Sequence, residues 1–223
     1  MGVRIKICGI TTVDDALMVT AAGADAVGLN LFDGPRRIDV ARVHDILSAL
    51  PPMMTAVALL NVSAGRIPAD VDGLLDRHRV SHVQMYGRVT GDVIARWRRG
   101  GFRPIYVVHV AGPEFSATVR TLLDAGPESR PSAILLDAAD DGRAGGTGVP
   151  ADWESIRRAR ESGAMADWPP VILAGGLRPD NVEQAIAAVE PWAVDVSSGV
   201  ESSPSRKDAN LVRRFIEAVR RCG

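Results

Sequence analysis

Short apolar, β-branched runs alternate with amphipathic helical stretches eight times along this chain, and no other feature narrows its fold so far. The runs read as strands at Val3–Ile7, Ala26–Leu31, Thr55–Leu60, His82–Met85, Pro104–Val110, Ala133–Asp137, Val171–Ala174 and Ala193–Val196. Helical patterns lie between them at Val13–Ala22, Val40–Ala49, Ile67–Arg77, Asp92–Arg99, Ser116–Ala125, Asp152–Glu161 and Asn181–Val189, and Asp208–Arg220 follows the last strand. Apolar residues spaced by three and four, as in Val212, Phe215, Ile216 and Val219, mark a helix with one buried face. Runs such as Ala133-Ile134-Leu135-Leu136 show no polar alternation, as expected of strands buried on both faces and paired in parallel. Eight strand–helix units in 223 residues, 46% of them apolar, predict the α/β class and a single-domain (β/α)8 TIM barrel over residues 1–223. The competing architecture is a doubly wound open sheet. It would more often carry Gly-x-Gly-x-x-Gly after its first strand, where this chain has Cys8-Gly9-Ile10-Thr11-Thr12.

Charge excludes several partner classes. The formal net charge is −1, so nothing suggests nucleic acid or an acidic membrane surface, and an anionic ligand must be held by a local positive field. No apolar run approaches the roughly 20 residues that span a bilayer. The N-terminus reads as a charged strand rather than a secretory signal, so the cytoplasm is the expected compartment. Arginine supplies nearly all the basic charge, which with abundant alanine suggests a bacterial, GC-rich source; the only lysines are Lys6 and Lys207. Cys8 belongs at the top of a barrel and Cys222 near its bottom, too far apart for a disulfide, and Cys222 reads as an exposed tail thiol.

The chemistry-bearing residues gather at strand ends, where a barrel of this kind keeps its active site. Cys8 stands at the tip of the first strand, two residues after Lys6, so both side chains share one face and the cation can lower the thiol pKa. The alternative is a buried, inert thiol. Strand six ends at Asp137, a carboxylate after an apolar run and thus poised for a raised pKa and general-acid work. It can equally cap a turn, leaving the acid to Asp140 or Asp141. Gly175 and Gly176 follow strand seven, and Ser197, Ser198 and Gly199 follow strand eight. Loops at those two places are the recurrent phosphate site of such barrels, because glycine lets backbone N–H groups close on an anion. Gly145–Gly148 reads either as a lid or phosphate neighbour or as a flexible turn. After strand two, Pro35 stiffens a loop before Arg36 and Arg37; Arg36 is a candidate for bidentate binding of a substrate carboxylate, or is a solvated surface residue. Asp195 shares parity with Ser197 and either pairs with Lys6 inside the barrel or touches substrate. The histidines, His44, His78, His82 and His109, have no partners at metal-ligand spacing, so no metal site is expected.

Taken in order, Lys6–Thr11, Gly23–Gly28, Pro35-Arg36, Val83-Gln84 with Gly87, Leu135–Asp137, Gly145–Gly148, Leu173–Leu177 with Asn181-Val182, and Asp195–Glu201 with Lys207-Asp208 resemble the phosphoribosylanthranilate isomerase family across nearly the whole chain. That resemblance implies a metal-free and cofactor-free Amadori rearrangement of a small phosphosugar, N-(5-phosphoribosyl)anthranilate, in tryptophan biosynthesis. It implies Asp137 as general acid, Cys8 as general base and Arg36 against the anthranilate carboxylate. Four departures from the family pattern stand out: Tyr86 in place of histidine, Gly34 in place of serine, Asn30 in place of an apolar residue, and Ser205 in place of glycine. Two other readings compete: a related aminoaldose-phosphate isomerase of broader specificity, and a non-catalytic phosphosugar-binding barrel. The first is disfavoured by Cys8, since the bifunctional relatives carry a carboxylate there.

Overall fold

A computed structural model describes residues 2–63, 69–138 and 151–223. Eight parallel strands close on themselves in sequence order: β1 (Arg4–Cys8), β2 (Ala26–Asn30), β3 (Thr55–Asn61), β4 (His82–Tyr86), β5 (Arg103–Val110), β6 (Ala133–Ala138), β7 (Val171–Leu173) and β8 (Ala193–Val196). Closure comes from β1 pairing with β8, in register Lys6 with Asp195. The helices α1 (Val13–Ala21), α2 (Val40–Ala49), α3 (Ala69–Arg77), α4 (Gly91–Arg99), α5 (Phe115–Leu123), α6 (Trp153–Glu161), α7 (Val182–Val189) and α8 (Ala209–Arg220) follow the strands in turn. The expected barrel is therefore the one found, and the open sheet is excluded.

The period-two alternation of each strand divides the core in two. Outward residues such as Ile5, Ile7, Val27, Leu29, Ile134 and Leu136 pack under the helices. Inward residues such as Val57, Leu59, Ile105, Val107, Leu135 and Ile172 fill the barrel. Helix starts are set locally: Thr12, Asp39, Thr90, Asp152 and Asp208 each accept a hydrogen bond from a backbone N–H of the first turn. Such caps contribute about 1 kcal/mol apiece.

After β8 the chain turns into a small antiparallel hairpin, β9 (Glu201–Ser203) with β10 (Arg206–Lys207), turned through Ser205 at φ +67°. Asp140, Asp141 and Gly145–Gly148 lie outside the described residues. Among the described residues, no helix is long and apolar enough to cross a membrane.

Candidate active site

A cleft opens where β1, β2, β4, β6, β7 and β8 end, and it is lined by Cys8, Arg36, Asp137, Gly175, Gly176, Asp195, Ser197, Ser198 and Gly199, all candidates from the sequence. The barrel interior turns polar beneath this cleft. Lys6, Asn30, Gln84, Asp137 and Asp195 are all buried there.

One side of the cleft is built on β1. Cys8 faces inward and is 7% exposed. Its neighbour across the sheet is Gly28, and a Cβ at that position would lie 2.7 Å from Cys8 Sγ and 3.1 Å from Lys6 Nζ. Only glycine leaves space for thiol and ammonium to sit side by side. Lys6 Nζ also donates to Asp195 Oδ2 at 2.8 Å, with both side chains nearly inaccessible. Asp195 thus pairs with Lys6, while its Oδ1 is buried with no partner among the described residues. The expected drop in the thiol pKa is not found. Burial pushes the Cys8 thiol up, Lys6 pulls it down, and the Asp195 carboxylate cancels part of that pull. A lysine already committed to a buried carboxylate is a weaker activator than a free one.

Another side of the cleft holds Asp137, 8% exposed, on β6. Burial, reinforced by the nearby charge of Asp195, raises its pKa to about 6, against opposing pulls from His109 and Lys6. Its Oδ1 accepts from the backbone N–H of Ala138 at 2.9 Å, which fixes the carboxyl rotamer at the strand end. His109 reaches only the Ala138 carbonyl, at 3.1 Å. His44 and His78 meet at 2.7 Å among the outer helices, and no group of three or more metal-ligating side chains exists among the described residues.

The glycine loops come together by close backbone approach. Gly175 (φ +82°) passes so near Ala138 that a Cβ would strike that residue's backbone nitrogen, and a Cβ on Gly199 would strike the Leu177 carbonyl oxygen. The short 3-10 turn Ser198–Val200 begins at the cleft. The lining from the β7 loop ends at Leu177, so α7 contributes no residue to the cleft. Gly199→Ala is expected to force the two loops apart, raising KM about tenfold while kcat changes little; steady-state kinetics checks this, and a KM within twofold of wild type would refute it.

Phe32 was not among the candidates, and Tyr86 and Asn30 stood out in the sequence only as departures from the family pattern; all three line the cleft. Phe32 and Tyr86 form an aromatic wall with centroids 4.7 Å apart. Gln84 Nε2 donates to the Tyr86 hydroxyl at 2.7 Å, and burial raises the phenol pKa well above its ordinary value, so it stays neutral. Asn30, odd as a strand residue, accepts from the backbone N–H of Phe32 at 3.0 Å and so shapes the turn that brings Phe32 into the cleft. Arg36, not Arg37, reaches the cleft. Its Nε and Nη2 each donate to Glu201 at 2.8 Å, whereas Arg37 pairs with exposed Asp33. Lys207 joins Glu201 at 2.7 Å. The sequence marked these residues one by one, Arg36 as a carboxylate candidate and Glu201 and Lys207 within family-like segments, but not as a cluster.

Residues 5–218 match the family model described as N-(5'phosphoribosyl)anthranilate (PRA) isomerase. A protein of that name from Geobacter metallireducens is 40% identical over 219 residues, covering 98% of this chain and 99% of the relative. Another from Pseudomonas aeruginosa is 42% identical over 220 residues, covering 98% and 95%. The crystal structure of phosphoribosyl anthranilate isomerase from Thermotoga maritima superposes with a TM-score of 0.79 at 32% identity, covering 97% of this chain and 98% of that one. A structure of such an isomerase in complex with reduced 1-(o-carboxyphenylamino)-1-deoxyribulose 5-phosphate gives 0.77 at 31% identity, with the same coverage. With its barrel and nearly its full length in common with these proteins, the chain belongs to the N-(5'-phosphoribosyl)anthranilate isomerase family.

Proposed function

We propose that Cys8 and Asp137 divide the two proton transfers of the Amadori rearrangement of N-(5'-phosphoribosyl)anthranilate between them. Asp137, protonated, gives its proton to the furanose ring oxygen. The ring C1–O bond breaks, the nitrogen lone pair forms the C1=N bond, and a protonated Schiff base results. The Cys8 thiolate then takes the C2 proton, and the C–H electron pair moves to give the enolamine. Tautomerisation of the enol to the C2 ketone, with a proton returned to C1, yields 1-(2-carboxyphenylamino)-1-deoxyribulose 5-phosphate. Atoms balance throughout, and no external oxidant or reductant enters.

The observation that carries this reading is the pairing of opposite roles in one cleft. A carboxyl whose pKa is raised to about 6 still holds a proton in a useful fraction of molecules near neutrality, and a thiol beside a buried ammonium lines the same opening. The remaining lining supports the rest of the substrate. Backbone N–H groups around Gly175, Gly176, Ser198 and Gly199 suit a phosphate, with the unpartnered Ser197 hydroxyl beside them. Asp195 Oδ1, buried and unpartnered, suits a sugar hydroxyl as hydrogen-bond donor. Phe32 and Tyr86 suit the flat anthranilate ring, and Arg36 its carboxylate.

Purified, chelator-treated protein should convert N-(5'-phosphoribosyl)anthranilate formed in situ from phosphoribosyl pyrophosphate and anthranilate. The gene should also restore growth of a tryptophan auxotroph lacking this step but not of a histidine auxotroph lacking the aminoaldose isomerase. Binding of the reduced product without turnover would instead favour a non-catalytic barrel.

A further inference from the structure

We propose that Glu201 is a positioning residue for substrate selection: it presents Arg36 to the carboxylate end of the ligand and, through Lys207, ties that arginine to the phosphate loop. The inference rests on reading Arg36 as the carboxylate contact. A guanidinium offers two bidentate edges. Glu201 occupies the side edge of Arg36, through Nε and Nη2 at 2.8 Å each. The end edge, Nη1 with the second N–H of Nη2, has no protein partner among the described residues, and Arg36 lines the cleft. An arginine gripped along one edge loses most of its rotamer freedom before a ligand arrives, so less is lost on binding.

The same carboxylate does more than hold an arginine. Its Oε1 also accepts from Lys207 Nζ at 2.7 Å, and Lys207 Nζ donates on to the backbone carbonyl of Ser197 at 3.1 Å. Ser197 belongs to the loop read as the phosphate site. With all three groups ionised, Arg36, Glu201 and Lys207 carry one net positive charge, which an Arg–Glu pair alone would lack. The cluster is shielded from water: the Lys207 side chain is 0% exposed and that of Glu201 4%. The hairpin that carries Glu201 and Lys207 is strapped to the neighbouring loops after β1 and β2. Ser205 Oγ donates to the Pro35 carbonyl at 2.5 Å, Ser205 N donates to Glu201 Oε2 at 3.3 Å, and Thr11 Oγ1 donates to the Ser205 carbonyl at 2.8 Å. The distance between carboxylate reader and phosphate loop is thus set by one rigid unit, β9–β10, outside the barrel strands.

The test compares three probes by calorimetry: the reduced, carboxylate-bearing product, its analogue with an unsubstituted phenyl ring, and inorganic phosphate. Wild type should bind the carboxylate-bearing probe more tightly than the phenyl analogue. Glu201→Gln should erase most of that preference, weakening the first probe about tenfold or more while changing the other two by less than twofold. In turnover, KM should rise with kcat nearly kept. Because Glu201→Gln leaves Lys207 buried with a neutral partner, the double variant Glu201→Gln/Lys207→Met serves as the folded control and should show the same loss of preference between the first two probes, with phosphate weakened besides where Lys207 no longer braces the Ser197 carbonyl. Equal weakening of all three probes would reduce Glu201 to a fold strap and overturn the proposal. So would an undiminished carboxylate preference in both variants. If wild type itself shows no such preference, the reading of Arg36 fails first, and this proposal with it.

Discussion

Asp137→Asn should lower kcat by about 10²–10⁴-fold while leaving KM within a few-fold of wild type. Asparagine fills the same space on β6 and can still accept from Ala138 N–H, so the cleft keeps its shape. What it lacks is a proton to give. The pH profile separates this from indirect damage. With the proposed roles, the competent enzyme pairs a protonated Asp137 with a deprotonated Cys8, yet Asp137 has the lower pKa, about 6, and the thiol lies above its ordinary value. The competent form is therefore a minority at every pH. As pH rises toward 6, thiolate increases while the acid stays protonated, and kcat/KM climbs. Between the two pKa values each gain in thiolate is offset by a loss of protonated acid, and the profile is flat. Above the thiol pKa it falls. In Asp137→Asn the acid limb vanishes, so the residual rate should keep climbing past pH 6 up to the thiol pKa. In Cys8→Ala, expected to lose a comparable factor, the residual rate should instead decline from about 6 upward. A residual Asp137→Asn profile that still levels off near 6 would sink the assignment of acid and base.

The sequence alone carries the barrel and most of the cleft for one reason: in a closed parallel sheet, parity and strand end decide which way a side chain faces. Asp137 and Asp195 were legible because each follows apolar residues close to a strand end, Cys8 because it ends β1 two residues after Lys6, and the glycine loops because they sit after β7 and β8. Contacts that depend on tertiary closure were not legible. Arg36 and Glu201 are 165 residues apart, and nothing local in either segment announces the other. Phe32 and Tyr86 become a wall only once β2 and β4 are bent around the same opening. The hairpin β9–β10 was hidden by its composition, since Glu-Ser-Ser-Pro-Ser-Arg-Lys reads as loop until Glu201 and Lys207 are seen to pair. The thiol pKa was misjudged for a related reason. That Lys6 neighbours Cys8 follows from strand spacing, but the depth of burial is the joint product of all eight strands, and here it outweighs the cation.

That balance makes Lys6→Met the change with the largest combined effect. Removing the ammonium leaves the Asp195 carboxylate buried without its cation, which should cost about 3–5 kcal/mol, visible as a lowered denaturation midpoint. It also deletes the only group on β1 that pulls the thiol pKa down, so the competent minority shrinks further and the kcat/KM plateau drops by about tenfold or more. Lys6→Met/Asp195→Asn separates the two consequences. Its interior is neutral and nearly isosteric, so most of the stability should return. Activity should not, because the thiol still lacks its cation. The rate of iodoacetamide alkylation of Cys8 against pH, in a Cys222→Ala background, reads the thiol directly. It should be slowest in Lys6→Met, where Asp195 still opposes ionisation. It should be fastest in Asp195→Asn, where Lys6 is freed to act on the thiol alone. The same Asp195→Asn change should move the Asp137 limb below 6, since the Asp195 charge helps raise that carboxyl. If the double variant regains both stability and turnover, Lys6 is there to neutralise Asp195 and does nothing for the thiol.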